Sequence, residues 1–220
     1  WEGKCLPAVA GAIYAREVAD MVTQGRIVNC PYDPRLRVHT VWDLGWNDRM
    51  VVGFFQRGFA DVRLIDYIET QFKRVDEVVG MYADRNWNWG YDWLPFDGFT
   101  HDAKSGTTVG KILQKFGRKV QPVPNLSEEL GIKHTRQFLA RVYVDREKGK
   151  RALECLKRFR RYVPKHGEPA HPVDDEFAHG ADMFRYAALV AERMTNANED
   201  RTYPVIDPFR PKIGSMGHLG

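Results

Sequence analysis

Along the chain the apolar positions switch between a helical and a strand period, and the switches delimit the elements. In residues 8–23 alanines and apolar residues recur at helical spacing, with Ile13, Val18, Met21 and Val22 able to face a partner surface. This predicts a short helix or two, ended by Gly25. Residues 26–36 carry Pro31 and Pro34 and read as a linker, so the core is expected to start near Arg37. A buried strand follows, with Val38, Val41 and Leu44 among aromatic neighbours, Asp43 near its end and Gly45 in the turn after it. Residues 49–57 and 62–68 are rich in β-branched and aromatic side chains, and the short links predict an antiparallel meander. Residues 69–85 place Phe72, Val75, Val78, Val79 and Tyr82 three and four apart, which predicts an amphipathic helix. A short strand ending at Asp97, a helix over 108–116 closed by Gly117, and a proline-limited strand over 118–123 come next. Helices are then expected over 131–144, 146–162 and within 174–194, with an irregular tail over 195–220.

Strands joined through helices imply parallel crossovers, so the pattern predicts a mixed five-stranded sheet, three strands antiparallel and then two parallel, flanked by helices. That is the order of the ribonuclease H-like α/β fold, in which an acid on the central first strand meets one at the end of the fourth strand and one on the C-terminal helix. Asp43, Asp97 and Asp182 hold those places. A carboxylate inside an apolar strand loses hydration and needs a metal, a cation or backbone donors in exchange. Phosphodiester hydrolysis uses such acids to gather a pair of Mg²⁺ or Mn²⁺ ions about 4 Å apart, and hard divalent ions prefer oxygen ligands.

Each acid also has a plainer role open to it. Asp43 could cap the Gly45 turn, Asp97 could shape an Asx-turn with Asp102 as a rival ligand, and Asp182 could pair with Arg185 three residues on. Asp174 and Asp175 fall at a helix start, where acids stabilise exposed N–H groups; Asp175 is the better candidate for an extra metal ligand. His179, one turn before Asp182, is a candidate for phosphate or water contact or for a structural hydrogen bond, and Asp66 for a pairing role in the third strand.

Composition adds two constraints. A net charge of +4 over 220 residues permits an anionic partner without demanding one. The positive candidates for DNA phosphates are Lys104, Lys111 and Lys115 after the second acid, and Lys150, Arg151 and Arg158 on a basic helix whose charge Glu147 and Glu154 could instead balance. Trp87 and Trp89 lie in a polar string and are candidates for the core or for a loop touching DNA or a neighbouring domain. Cys5, Cys30 and Cys155 have no paired spacing, which fits reduced thiols. No apolar run approaches a membrane span, no signal peptide opens the chain, and no phosphate-loop motif surrounds Lys111, so ATP hydrolysis is not expected.

The strings HTVWDLGWND, LIDYIE, WLPFDGFTHDAKSGTT, GIKHTRQFLARVYVD, LKRFRRY and DDEFAHGADMFRYAAL closely resemble the C-terminal nuclease domain of the large terminase subunit of tailed bacteriophages, over about residues 37–194. The resemblance implies a metal-dependent endonuclease that cuts concatemeric double-stranded viral DNA during packaging, with Asp43, Asp97 and Asp182 matching the metal-binding acids. It also implies an ATPase domain in the same polypeptide, portal and small-subunit partners, and the cytoplasm of an infected host. Residues 1–36 would then be the helix and linker from that ATPase domain, in keeping with a chain that opens on Trp1 rather than Met. Phe96 stands where many relatives have His, and Ala178 where many have Ser, so no role carries over there. The alternatives are a junction resolvase or RNA-hybrid nuclease on the same fold, and a non-catalytic DNA clamp or portal-docking module.

Overall fold

The computed structural model describes residues 10–45, 49–101, 106–164 and 170–197. Its centre is a seven-stranded sheet in the order β1-β7-β4-β3-β2-β5-β6, formed by β1 (Ile27–Val28), β2 (Val38–Asp43), β3 (Met50–Arg57), β4 (Val62–Thr70), β5 (Trp89–Leu94), β6 (Lys119–Pro122) and β7 (Val142–Asp145). The expected meander is present: β3 pairs antiparallel with β2 and with β4. The expected parallel additions are also present, β5 on β2 and β6 on β5. The ribonuclease H-like order therefore holds, with seven strands in place of five.

The two extra strands lie where helix and linker were expected. β7 takes residues assigned by their pattern to the end of a helix; that helix, α4 (Glu128–Leu139), stops earlier, and Val142 and Val144 pack inward on a strand parallel to β4. β1 lies in the proline-marked linker and pairs with β7. The helix before it, α1 (Ala15–Thr23), also belongs to the core, burying Val18 and Met21 beside Ile13 and Tyr14. The helix expected over 69–85 is likewise shorter. β4 runs on to Thr70, Phe72 takes a positive φ of 57° that no helix accommodates, and α2 spans only Val75–Gly80.

Strand alternation divides the core into two layers. On one face Val41, Val51, Phe55 and Leu64 meet α4, α5 (Lys150–Arg158) and α6 (Ala178–Val190). On the other, Trp42, Val52, Phe54 and Ile65 meet α2 and α3 (Val109–Lys115). All six residues of β2 are buried, as a central strand covered on both faces requires. Trp87 and Trp89 are part of this second layer, with ring centroids 5.6 Å and 6.4 Å from Phe54, which supports the core reading over a DNA-touching loop.

Two polar groups are embedded in this apolar setting. Fully buried Asp92 on β5 receives both Nε (2.8 Å) and Nη2 (2.6 Å) of Arg118 and the hydroxyl of Thr40, which in turn accepts from Trp42 Nε1 at 2.8 Å. Arg118 also lies 4.0 Å above the Trp89 ring. Buried His39 is neutral: its Nδ1 accepts from the Tyr91 N–H at 3.1 Å, leaving Nε2 to donate to the Thr195 carbonyl at 3.1 Å.

Burial holds the His39 pKa down to about 4. The folded state therefore resists a proton that the unfolded chain accepts near its ordinary pKa of about 6.5. The corresponding stability is complete above that value and drains away as pH falls toward 4, by about 2 kcal/mol between about pH 7.5 and pH 5. Urea unfolding at the two pH values measures this, and His39→Gln is expected to remove that part of the acid sensitivity.

Candidate active site

Strand direction brings the acids to one end of the sheet. β2 delivers Asp43 at its carboxyl end, and the parallel neighbour β5 ends beside it at Leu94. Pro95 then starts a 3₁₀ turn, Phe96–Phe99, that holds Asp97. Gly98 is what lets this turn sit down on the sheet: a Cβ there would lie 2.9 Å from Leu94 Cβ and 3.2 Å from Leu44 Cδ1. α6 packs over the β2–β3 part of the sheet and carries His179 and Asp182. Its close approach to α5 depends on Gly180, where a Cβ would stand 2.5 Å from Cys155 Sγ.

Asp43 is only 7% exposed, and His179 Nδ1 lies 2.9 Å from its Oδ2. Burial raises its pKa to about 6; Asp182 adds to the rise, while the His179 hydrogen bond opposes it. Asp182 Oδ1 accepts from Arg185 Nε at 2.9 Å. Asp97 is also shifted upward, by burial first, with its neighbouring backbone N–H groups pulling the other way. Tyr186 reports on all three: burial leads the rise in its pKa, and Asp43, Asp182 and Asp97 each raise it further. The three acids thus share one electrostatic neighbourhood.

The donors suit a hard divalent cation in kind, being carboxylates with no cysteine. Two of their oxygens are committed, Asp43 Oδ2 to His179 and Asp182 Oδ1 to Arg185. Among the described residues no three His, Cys, Asp or Glu side chains are gathered closely enough to hold one ion. The chemistry of the set fits a divalent ion, and small side-chain rotations are needed to close it.

The remaining candidates separate. Asp175 does not look toward this group: Oδ2 meets Arg160 Nη1 at 2.5 Å and Oδ1 accepts from the Phe177 N–H at 3.0 Å, the capping role rather than an extra ligand. Asp66 pairs with Arg85. Lys111 and Lys115 are exposed on α3, whose start is capped by Thr108 accepting from the Lys111 N–H at 3.0 Å. Lys150 is exposed at the start of α5. Arg151 is instead committed to Glu69 (3.0 Å), Glu176 (2.9 Å) and Glu154 (3.2 Å), and Arg158 to Glu154 at 3.2 Å. These pairs correct the DNA-binding expectation for Arg151 and Arg158 toward the internally balanced reading. Lys104 and Asp102 lie outside the described residues. Tyr186 was not singled out from the sequence, although its place four residues after Asp182 on a helix was a usable signal.

Fold and site together define a ribonuclease H-like domain with carboxylates at the carboxyl edge of its central strands. No protein-family model matches the chain, and no curated protein matches it. Solved structures do. The full-length large terminase of a thermophilic bacteriophage aligns with a TM-score of 0.61 at 15% identity over 84% of this chain and 46% of that one. The P22 large terminase nuclease domain aligns with a TM-score of 0.59 at 16% identity, over 77% and 89% of the two chains. The large terminase nuclease of thermophilic phage G20c, solved with bound magnesium, gives 0.52 at 15% identity over 81% and 98%. The chain has the fold of large-terminase nuclease domains, and it spans less than half the length of the first of these proteins.

Proposed function

We propose that this chain is the nuclease part of a large terminase subunit and acts as a divalent-metal-dependent endonuclease on double-stranded DNA. The observation that carries the reading is the placement of Asp43, Asp97 and Asp182 around Tyr186, at the carboxyl edge of a fold shared with nuclease domains solved with bound magnesium and cobalt. Asp43 and Asp182 would hold a pair of Mg²⁺ or Mn²⁺ ions, with Asp97 completing the set. Such ions supply Lewis acidity to the attacking water and to the leaving oxygen.

The chain's own groups do the rest. His179, hydrogen-bonded to Asp43 Oδ2, fixes the orientation of that carboxylate, and Arg185 does the same for Asp182. Burial of Asp43 excludes bulk water and strengthens every charge interaction near it. Exposed Lys111 and Lys115 offer phosphate contacts that carry affinity without sequence information.

In this reading the chain acts on concatemeric DNA during genome packaging, in the cytoplasm of an infected cell. An ATPase domain of the same polypeptide, a portal and a small terminase subunit are its partners. Residues 1–36 lead in from the ATPase domain and 195–220 form a tail beyond the nuclease domain. Among the described residues no helix is long and apolar enough to cross a membrane. One observation favours the non-catalytic clamp: Asp43 and Asp182 already have protein partners. Supercoiled plasmid incubated with the chain and Mn²⁺, Mg²⁺ or EDTA decides between them. Nicking and linearisation that require the metal support the nuclease; plasmid left intact under all conditions, yet retained in a binding assay, supports the clamp.

A further inference from the structure

Resting on the nuclease reading, we propose that Phe96 is a DNA-contacting wedge: its ring presses into the groove of the duplex and unstacks a base step next to the phosphodiester presented to Asp97. Phe96 immediately precedes that acid and is 76% exposed. It is held outward by a rigid turn. Pro95 caps the turn, the Gly98 N–H donates to the Pro95 carbonyl at 3.0 Å, the Thr100 N–H donates to the Asp97 carbonyl at 3.0 Å, and Gly98 is seated on Leu94 and Leu44. Residues three apart eclipse in a 3₁₀ turn, so Phe99 stands on the same side and the pair forms an apolar lip beside the carboxylates.

The neighbouring α3 packs on this turn and presents Lys111 to solvent, so a cation suited to phosphate stands near an apolar ring suited to a base step. Apolar side chains inserted between base steps kink the duplex, and pyrimidine–purine steps such as TA yield most easily. The wedge therefore gives the enzyme a preference for deformable steps without any hydrogen bond to a base edge. Phe59 is an internal control: it is also fully exposed, but in the β3–β4 turn at the opposite end of the sheet.

The test is fluorescence of 2-aminopurine placed in a TA step of a short duplex, at saturating protein and with Ca²⁺ in place of Mn²⁺, followed by mapping of cleavage sites with Mn²⁺. Wild type, Phe96→Tyr and Phe59→Ala are expected to raise the fluorescence several-fold and to cut preferentially at pyrimidine–purine steps. Phe96→Ala is expected to give no rise, to lose the step preference and to cut on the order of tenfold more slowly. An equal rise in wild type and Phe96→Ala, or no rise in saturated wild type, overturns the wedge. A rise that depends on Phe96 in a protein that never cuts DNA leaves the wedge standing and overturns the nuclease reading instead.

Discussion

Asp43→Asn is expected to abolish metal-dependent cleavage while making the metal-free protein more stable. The loss follows from removing a charged oxygen donor: several kcal/mol of transition-state stabilisation at 1.36 kcal/mol per decade is a fall in rate on the order of 10³-fold. The gain follows from burial. Asp43 is almost wholly buried and its pKa stands near 6, above its usual value of 3.8. The ionised carboxylate is therefore a cost to the folded state at neutral pH, fully present above the folded pKa and relieved as pH falls toward the unfolded one. Asparagine is nearly the same size and its amide oxygen still accepts from His179, so removing the charge recovers up to about 3 kcal/mol. Plasmid cleavage and thermal melts in EDTA read the two effects together. Opposite signs distinguish lost chemistry from lost folding, and a variant that cuts DNA at the wild-type rate contradicts the assignment of Asp43.

Arg118→Met is expected to be the most destabilising single change away from the site. Asp92 is completely buried, and the two guanidinium contacts are the main compensation for its charge. Removing one partner of a buried pair leaves the other charge uncompensated and costs about 3–5 kcal/mol, most of it the desolvation of the remaining carboxylate. Thr40 still donates to Asp92, which is too little to hold an isolated anion at the centre of a sheet. The double variant Asp92→Asn with Arg118→Met is expected to recover a large part of the loss, because it removes the orphaned charge as well. Urea unfolding of the single and double variants measures both, and a loss below about 1 kcal/mol in Arg118→Met would show that Asp92 finds other compensation.

The elements that carry the acids were legible because each has a strong local signal. β2 announces itself as an apolar run interrupted by one carboxylate, and β5 with its turn is bounded by Pro95 and Gly98. α6 sets small and apolar residues around Asp182, which left little room for a surface role. What was missed lacked such signals. β7 has four residues and β1 two, too few to establish a period, and both exist because each pairs with a neighbour remote in sequence. The helix expected over 69–85 failed because Phe72 turned outward, where periodicity had set it on the buried face.

The basic helix shows the same limit in its charges. Arg151 looked available for DNA because its balancing partner Glu69 lies 82 residues earlier, in a stretch taken to be helical and found at the end of β4. Local spacing could reveal the Asp182–Arg185 pair, three residues apart on one helix, but not the pairing of Asp43 with His179 across 136 residues. Tertiary partners decide whether a charge is free, and that information is distributed over the whole chain.

The most direct test of the acid centre is the anomalous scattering of manganese in a crystal of the chain soaked in Mn²⁺. The account predicts one or two peaks within ligation distance of Asp43 and Asp182, about 2.0–2.2 Å from their oxygens, with Asp97 turned toward them and Arg185 drawn back from Asp182. Manganese found only elsewhere, or no peak with the Asp43–His179 and Asp182–Arg185 pairs intact, would contradict a metal-dependent nuclease and leave a DNA-binding domain whose acids are structural.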